Sequence, residues 1–204
     1  MEVFGALVPL LIIGTFVGVL VTFSKSQFEA FTKTWADFAQ ARQMAMTPGR
    51  FFPFRANVIT GVIENVPVQL DHYVVSHGKS STAYTRVVSR AVEPMPFTLR
   101  VYVESVFSSL GKMLGAQDIQ VGDPAFDERF MVKSDNESLT RSLLDGELRR
   151  ALASFANASL SFEYRAGAVS MTWVAREENP VVLDAAIRIA VLASRWRRPE
   201  QSLR

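Results

Sequence analysis

The hydrophobic pattern along the chain changes period three times, and each change predicts a different kind of element. Residues 3–23, VFGALVPLLIIGTFVGVLVTF, form an unbroken apolar run with no ionisable side chain. At about 1.5 Å of rise per residue, a helix of this length matches a hydrocarbon core of roughly 30 Å, so the run predicts a membrane-spanning helix. It reads as an uncleaved anchor rather than a secretory signal. Glu2 is the only early charge, and the run ends in Val21-Thr22-Phe23-Ser24 without a small-x-small cleavage site. From residue 24 to 46 the spacing becomes helical and amphipathic, with Phe28, Phe31, Trp35 and Phe38 on one face. Ser26 and Glu29 fit a capping box, which predicts a fresh helix start just outside the anchor; one continuous rod is the alternative. Thr47-Pro48-Gly49 ends the helix. The aromatic face has three candidate uses: packing on the protein's own domain, lying in the headgroup layer, or meeting a partner.

Between residues 50 and 104 the period shortens to that of half-buried strands. Val58 to Val62, Val66 to Val75, Tyr84 to Val88 and Phe97 to Val103 predict four strands. Turn-rich Ser76 to Ser81 and the extended break Glu93-Pro94-Met95-Pro96 fall between them. Short connections favour an antiparallel meander. Helical and extended pieces then alternate. Ser105 to Leu114 is expected to be helical and Ile119 to Gly122 extended, and a helical turn should be capped by Asp123 with Pro124 at its first position. Phe130 to Lys133 is expected to be extended, Ser134 to Glu137 reads as a capping box opening a helix, and a further helix follows Asp145. A hairpin turning at Arg165 to Ala168 and a closing helix capped by Asn179-Pro180 complete the series.

The fold class this predicts is α+β: an N-terminal transmembrane helix, a juxtamembrane helix, and an antiparallel β-meander with helices packed on one face. The expected divisions are residues 1–24 as anchor, 25–47 as amphipathic juxtamembrane helix and 48–204 as a cytoplasmic α+β domain. Lys25, Lys33 and Arg42 follow the apolar run and no side-chain cation precedes it, which places the body of the protein inside the cell and the single-pass anchor in the inner membrane. With 204 residues and a net charge of +2, the chain has enough material for one cored domain and no electrostatic signature of a nucleic-acid partner. The absence of cysteine excludes disulfides and thiolate chemistry.

Candidate chemistry is sparse. Gly14 and Gly18 form a GxxxG pattern in the apolar run, a face on which another membrane helix can approach closely. Together with Phe28, Phe31, Trp35 and Phe38 they are the candidate partner-binding residues. Arg195, Trp196, Arg197 and Arg198 suit an anionic membrane surface, or simply the negative end of the closing helix. Asp123, Asp127, Glu128 and Asp135 invite a hard-cation site, but they lack the EF-hand spacing and fit helix caps better. Asp71, His72, Ser76 and His77 lie close in sequence. Neighbours on one strand point to opposite faces, so two solvent-exposed histidines are predicted rather than a triad. No nucleophile elbow, phosphate loop or dinucleotide fingerprint occurs, so no catalytic residue, metal or cofactor is expected.

The block Gln117 to Lys133, with Leu143-Leu144 and Glu147-Leu148-Arg149, resembles a pattern in uncharacterised bacterial single-pass membrane-anchored proteins that share a GDPAFDxRFxV run. The resemblance is tight over 117–152 and loose over 55–195. It implies a bacterial origin and the α+β fold, and it brings no activity. The expected function is a non-catalytic accessory or scaffold subunit of a membrane protein complex, with the lipid bilayer and other membrane subunits as partners. The alternative is a membrane-tethered ligand- or lipid-binding module.

Overall fold

The computed structural model describes residues 3–78, 80–103, 117–155 and 157–197, with side chains described from Thr22 onward and only the backbone at 117. Helix α1 runs without interruption from Val3–Ala41, 39 residues. It is the continuous rod, not a helix that restarts at Ser26. Among the described residues no helix is long and apolar enough to cross a membrane. The side chains of 3–21 lie outside the described residues, and with them the anchor expectation and Gly14 and Gly18. Arg198 and the helix expected over Ser105 to Leu114 also lie outside them.

A nine-stranded antiparallel sheet follows, in the spatial order β1-β2-β3-β4-β9-β8-β5-β7-β6. Its strands are β1 Ala45–Thr47, β2 Val58–Ile63, β3 Val66–Ser76, β4 Ser81–Arg90, β5 Thr98–Tyr102, β6 Gln117–Asp118, β7 Met131–Ser134, β8 Ser161–Arg165 and β9 Ala168–Val174. The helices after α1 are α2 Pro124–Arg129, α3 Glu137–Leu143, α4 Gly146–Ser154 and α5 Pro180–Arg195.

The expected four-strand meander is only half realised. β2, β3 and β4 are consecutive neighbours, but the β8–β9 hairpin sits between β4 and β5. The connection through Pro94 and Pro96 wraps the hairpin's tip. The Ala91 amide donates to the Gly167 carbonyl at 2.7 Å, and the Ala166 amide donates to the Phe97 carbonyl at 3.0 Å. A Cβ on Gly167 would lie 2.3 Å from Pro94 Cβ, and its φ of +86° is one that side chains avoid, so the wrap needs glycine there. Two prolines without N–H groups cannot extend a ladder, which leaves β4's free edge to the hairpin.

Strand alternation decides which face the helices cover. Val68, Leu70 and His72 of β3, Val87 and Ser89 of β4, Val169, Met171 and Trp173 of β9, Phe162 and Tyr164 of β8, and Leu99 and Val101 of β5 are buried on that face. Their neighbours Gln69, Tyr73, Arg86, Ser170, Glu163 and Arg100 lie on the other and are less buried. Phe28, Phe31, Trp35 and Phe38 of α1 are buried within the same core. The division expected at residue 47 therefore does not separate a helix from a domain. Residues 28–41 pack with the sheet, and the segment expected to finish that helix, Ala45–Thr47, is a strand.

Candidate functional site

Placement of the aromatic stripe corrects its assignment as a partner surface. Trp35 is fully buried, and its indole Nε1 donates to the Glu177 carbonyl at 2.8 Å. Phe31 and Trp35 pack at 4.9 and 5.3 Å, centroid to centroid, from the ring of His72. Of the three uses the stripe allows, packing on the protein's own domain is the one observed.

His72 is likewise not the exposed histidine its sequence neighbourhood predicts; at 2% exposure it is part of the core, while His77 is exposed. Its Nε2 accepts the Asn57 amide at 2.9 Å. Asn57 in turn accepts from the Gly49 amide at 2.6 Å and bonds the Thr32 hydroxyl of α1. Burial, with the nearby Arg176 charge adding and Asp71 opposing, pushes the imidazole down to about 4. Asp71 points to the opposite face and pairs with Arg86 at 2.9 Å. No triad forms from these residues.

Three carboxylates of the 117–135 block serve the backbone. Asp123 caps α2, Asp127 accepts from the Val121 and Gly122 amides at 2.9 and 3.0 Å, and Asp135 accepts from the Thr98 amide at 2.9 Å. The cap of α3 is Asn136, not Ser134, whose hydroxyl donates to the Thr98 carbonyl instead. Among the described residues no group of acidic, histidine or cysteine side chains is arranged to hold a metal ion.

The tail expected at a membrane surface is tied to the domain. Trp196 turns inward, packing edge-on against Phe97 at 6.0 Å, with its Nε1 donating to the Ser142 hydroxyl at 3.3 Å. Arg195 pairs with Glu64, and Arg197 pairs with Glu93 at 3.3 Å. These pairings answer the cations locally on the domain's own surface.

What the structure does assemble is a groove along α5. Asn179 caps this helix by accepting the Val181 amide at 3.0 Å, and Pro180 occupies its first turn. The Glu177 carboxylate holds the approach by accepting the Asn179 amide at 3.0 Å and the Trp173 indole N–H at 3.2 Å. With the helix so placed, Leu183, Ala186 and Ala190 face the sheet, while Asp184, Arg188 and Arg195, spaced by four and seven residues, form a stripe toward solvent. Between that stripe, the end of α1, the β2–β3 turn and the α3–α4 junction lies a hollow of about 740 Å³. Met44, Ile63, Leu143, Leu148, Ile187, Val191, Leu192 and Trp196 supply its apolar lining.

Its charged lining is self-paired: Arg42 with Asp184, Arg188 with Glu147 at 3.5 Å, and Arg195 with Glu64. The hydrogen bonds that Arg42 donates to Asp184 raise its guanidinium above its ordinary value despite partial burial. Asp145 caps α4. A second hollow of about 620 Å³ shares Glu147, Asp184, Arg188 and Leu192 with the first, and a third of about 550 Å³ shares Glu64 and Arg195. The pairs Arg188–Glu147 and Arg195–Glu64 thus mark the borders within one string of depressions. A site this shape offers an apolar bed with surface ion pairs at intervals along it. The elements that border it were legible in the sequence, but their convergence was not; the groove's residues come from four separate parts of the chain.

The architecture, one antiparallel sheet with helices on a single face, is shared with a solved protein. It is similar to the crystal structure of the mycobacterial trehalose monomycolate transport factor A, with a TM-score of 0.56 and 10% sequence identity over 79% of this chain and 91% of that one. At that identity the likeness is one of fold. No family model matches the sequence, and no curated protein does.

Proposed function

We propose that this protein is a membrane-tethered, non-catalytic accessory factor whose domain binds a lipid-like amphiphile in the groove along α5. The observation that carries the reading is that groove: an apolar bed of about 740 Å³ bordered by arginines whose partners are exposed carboxylates, so that an anionic headgroup can replace them. The shared fold supports it, since the similar protein is a transport factor named for trehalose monomycolate, a lipid. The tether is the apolar run of residues 3–23 at the head of α1, and the following cations orient the domain to the cytoplasmic side of the inner membrane. The groove's lining is in keeping with the accessory reading. Its described lining holds no hydroxyl, thiol or imidazole, and its carboxylates are engaged in pairs or a cap. The GxxxG run offers a face for a neighbouring membrane subunit.

The test is native mass measurement of the full-length protein released from mild detergent. Wild type is expected to retain a lipid mass, and Leu192→Trp, which fills the groove, is expected to lose most of it. A wild-type protein that carries no lipid, or a variant that carries as much as wild type, overturns the reading.

A further inference from the structure

A second feature of the surface lies at the opposite end of the domain half of α1. Residues 50–55, Arg-Phe-Phe-Pro-Phe-Arg, form a loop closed at its base by paired backbone bonds: the Arg50 amide donates to the Arg55 carbonyl at 3.0 Å, and the Arg55 amide donates to the Arg50 carbonyl at 2.8 Å. Closure of the base projects the tip outward. Phe52 is 84% exposed and Phe54 49%, an unusual expense for aromatic side chains that contribute most when buried. The loop is held against α1 near the end of its apolar run. The Phe51 and Phe54 rings lie 6.1 and 6.2 Å, centroid to centroid, from Phe28.

The position along α1 gives this patch its meaning. Phe28 follows Phe23, the last residue of the apolar run, by five residues, or about 7 Å of helix axis. The polar layer on each side of a bilayer is about 5–8 Å deep. With the apolar run in the hydrocarbon, the loop therefore sits at headgroup level, where aromatic rings are favoured. Charge points the same way. Arg50 and Arg55 are exposed and in no ion pair among the described residues, and Lys25, across a hollow of about 420 Å³ from Phe51 and Phe52, has only the exposed Glu29 at 3.7 Å.

We infer that the Arg50–Arg55 loop is a second membrane contact, inserting Phe52 and Phe54 among the headgroups of an anionic bilayer while Arg50, Arg55 and Lys25 meet lipid phosphates. The inference rests on the anchor reading above and adds to it a fixed stance of the domain on the surface. The loop turns a single attachment into two points, and it holds the α5 groove at a set height above the membrane.

Absence of native cysteine makes the test direct. Full-length single-cysteine variants Phe52→Cys, Leu10→Cys and Val62→Cys, each carrying an environment-sensitive dye, are placed in vesicles of phosphatidylglycerol and phosphatidylethanolamine containing lipids with quenchers at the headgroup or deep in the acyl chain. Val62 is 67% exposed on β2 and serves as the distant position. The expected result is at least threefold stronger headgroup-level quenching at 52 than at 62, reduced by Arg50→Glu with Arg55→Glu, together with deep quenching at 10. Deep quenching at 10 without quenching at 52 overturns the loop contact and leaves the anchor standing. No quenching at 10 overturns both.

Discussion

His72 shows how a single side chain can couple stability to pH when it is buried among rings. Its imidazole titrates near 6.5 in an unfolded chain and is pushed down to about 4 by burial and by Arg176. Between those values the unfolded state binds the extra proton, so stability is fully present above pH 6.5 and is lost as pH falls toward 4. The loss amounts to about 2 kcal/mol between pH 7 and pH 5. Denaturant midpoints of the full-length protein are expected to show that loss in wild type, and a much flatter response in His72→Gln, which keeps an acceptor for the Asn57 amide. Gly49 is the second residue whose role is set by its surroundings. A Cβ there would lie 2.3 Å from the Arg55 carbonyl oxygen and 2.7 Å from the Ala56 carbonyl carbon, both backbone atoms that cannot yield locally. Gly49→Ala is expected to cost about 1–3 kcal/mol, read as a lowered thermal midpoint.

At the scale of elements, α1 and α5 both pack on the core, and a buried indole on one is bonded to the loop that leads into the other. Trp35 of α1 donates to Glu177 just ahead of α5, so one indole ties the two helices together. Trp35→Ala removes both its fully buried ring and that bond, and a loss of about 3–5 kcal/mol is expected in equilibrium unfolding. Asn179→Ala removes the cap of α5 and is expected to cost about 1 kcal/mol in the same measurement. A loss as large as that of Trp35→Ala would mean the Asn179 side chain does more than cap.

At the scale of the whole molecule, the rod of α1 joins the apolar run to the core without a break in the helix. A domain attached this way has a restricted tilt relative to whatever surrounds its first residues, unlike one on a Gly/Ser linker. Removal of residues 2–23 is expected to shift the protein from the pelleted membrane fraction to the supernatant, while leaving the thermal midpoint of the domain within a few degrees, because the described core begins at Phe28.

Local physics made much of this protein readable from the chain alone. Hydrophobic period identified α1, β2 to β5, the β8–β9 hairpin and α5, and cap chemistry at Asp123, Asp145 and Asn179 marked where helices begin, because those signals depend on residues a few positions apart. Three features did not have that property. The insertion of β8–β9 between β4 and β5 depends on Gly167 meeting Pro94, more than seventy residues away in sequence. The burial of His72 depends on α1's rings closing over it, and the same closure turned the aromatic stripe from a candidate partner face into core. The α5 groove exists only where four separated segments converge, so its residues carry no common spacing. Composition and short-range pattern determined the elements and the apolar head of the chain. Long-range packing alone decided which charged and aromatic side chains remained at the surface, because exposure is set by which elements meet in space.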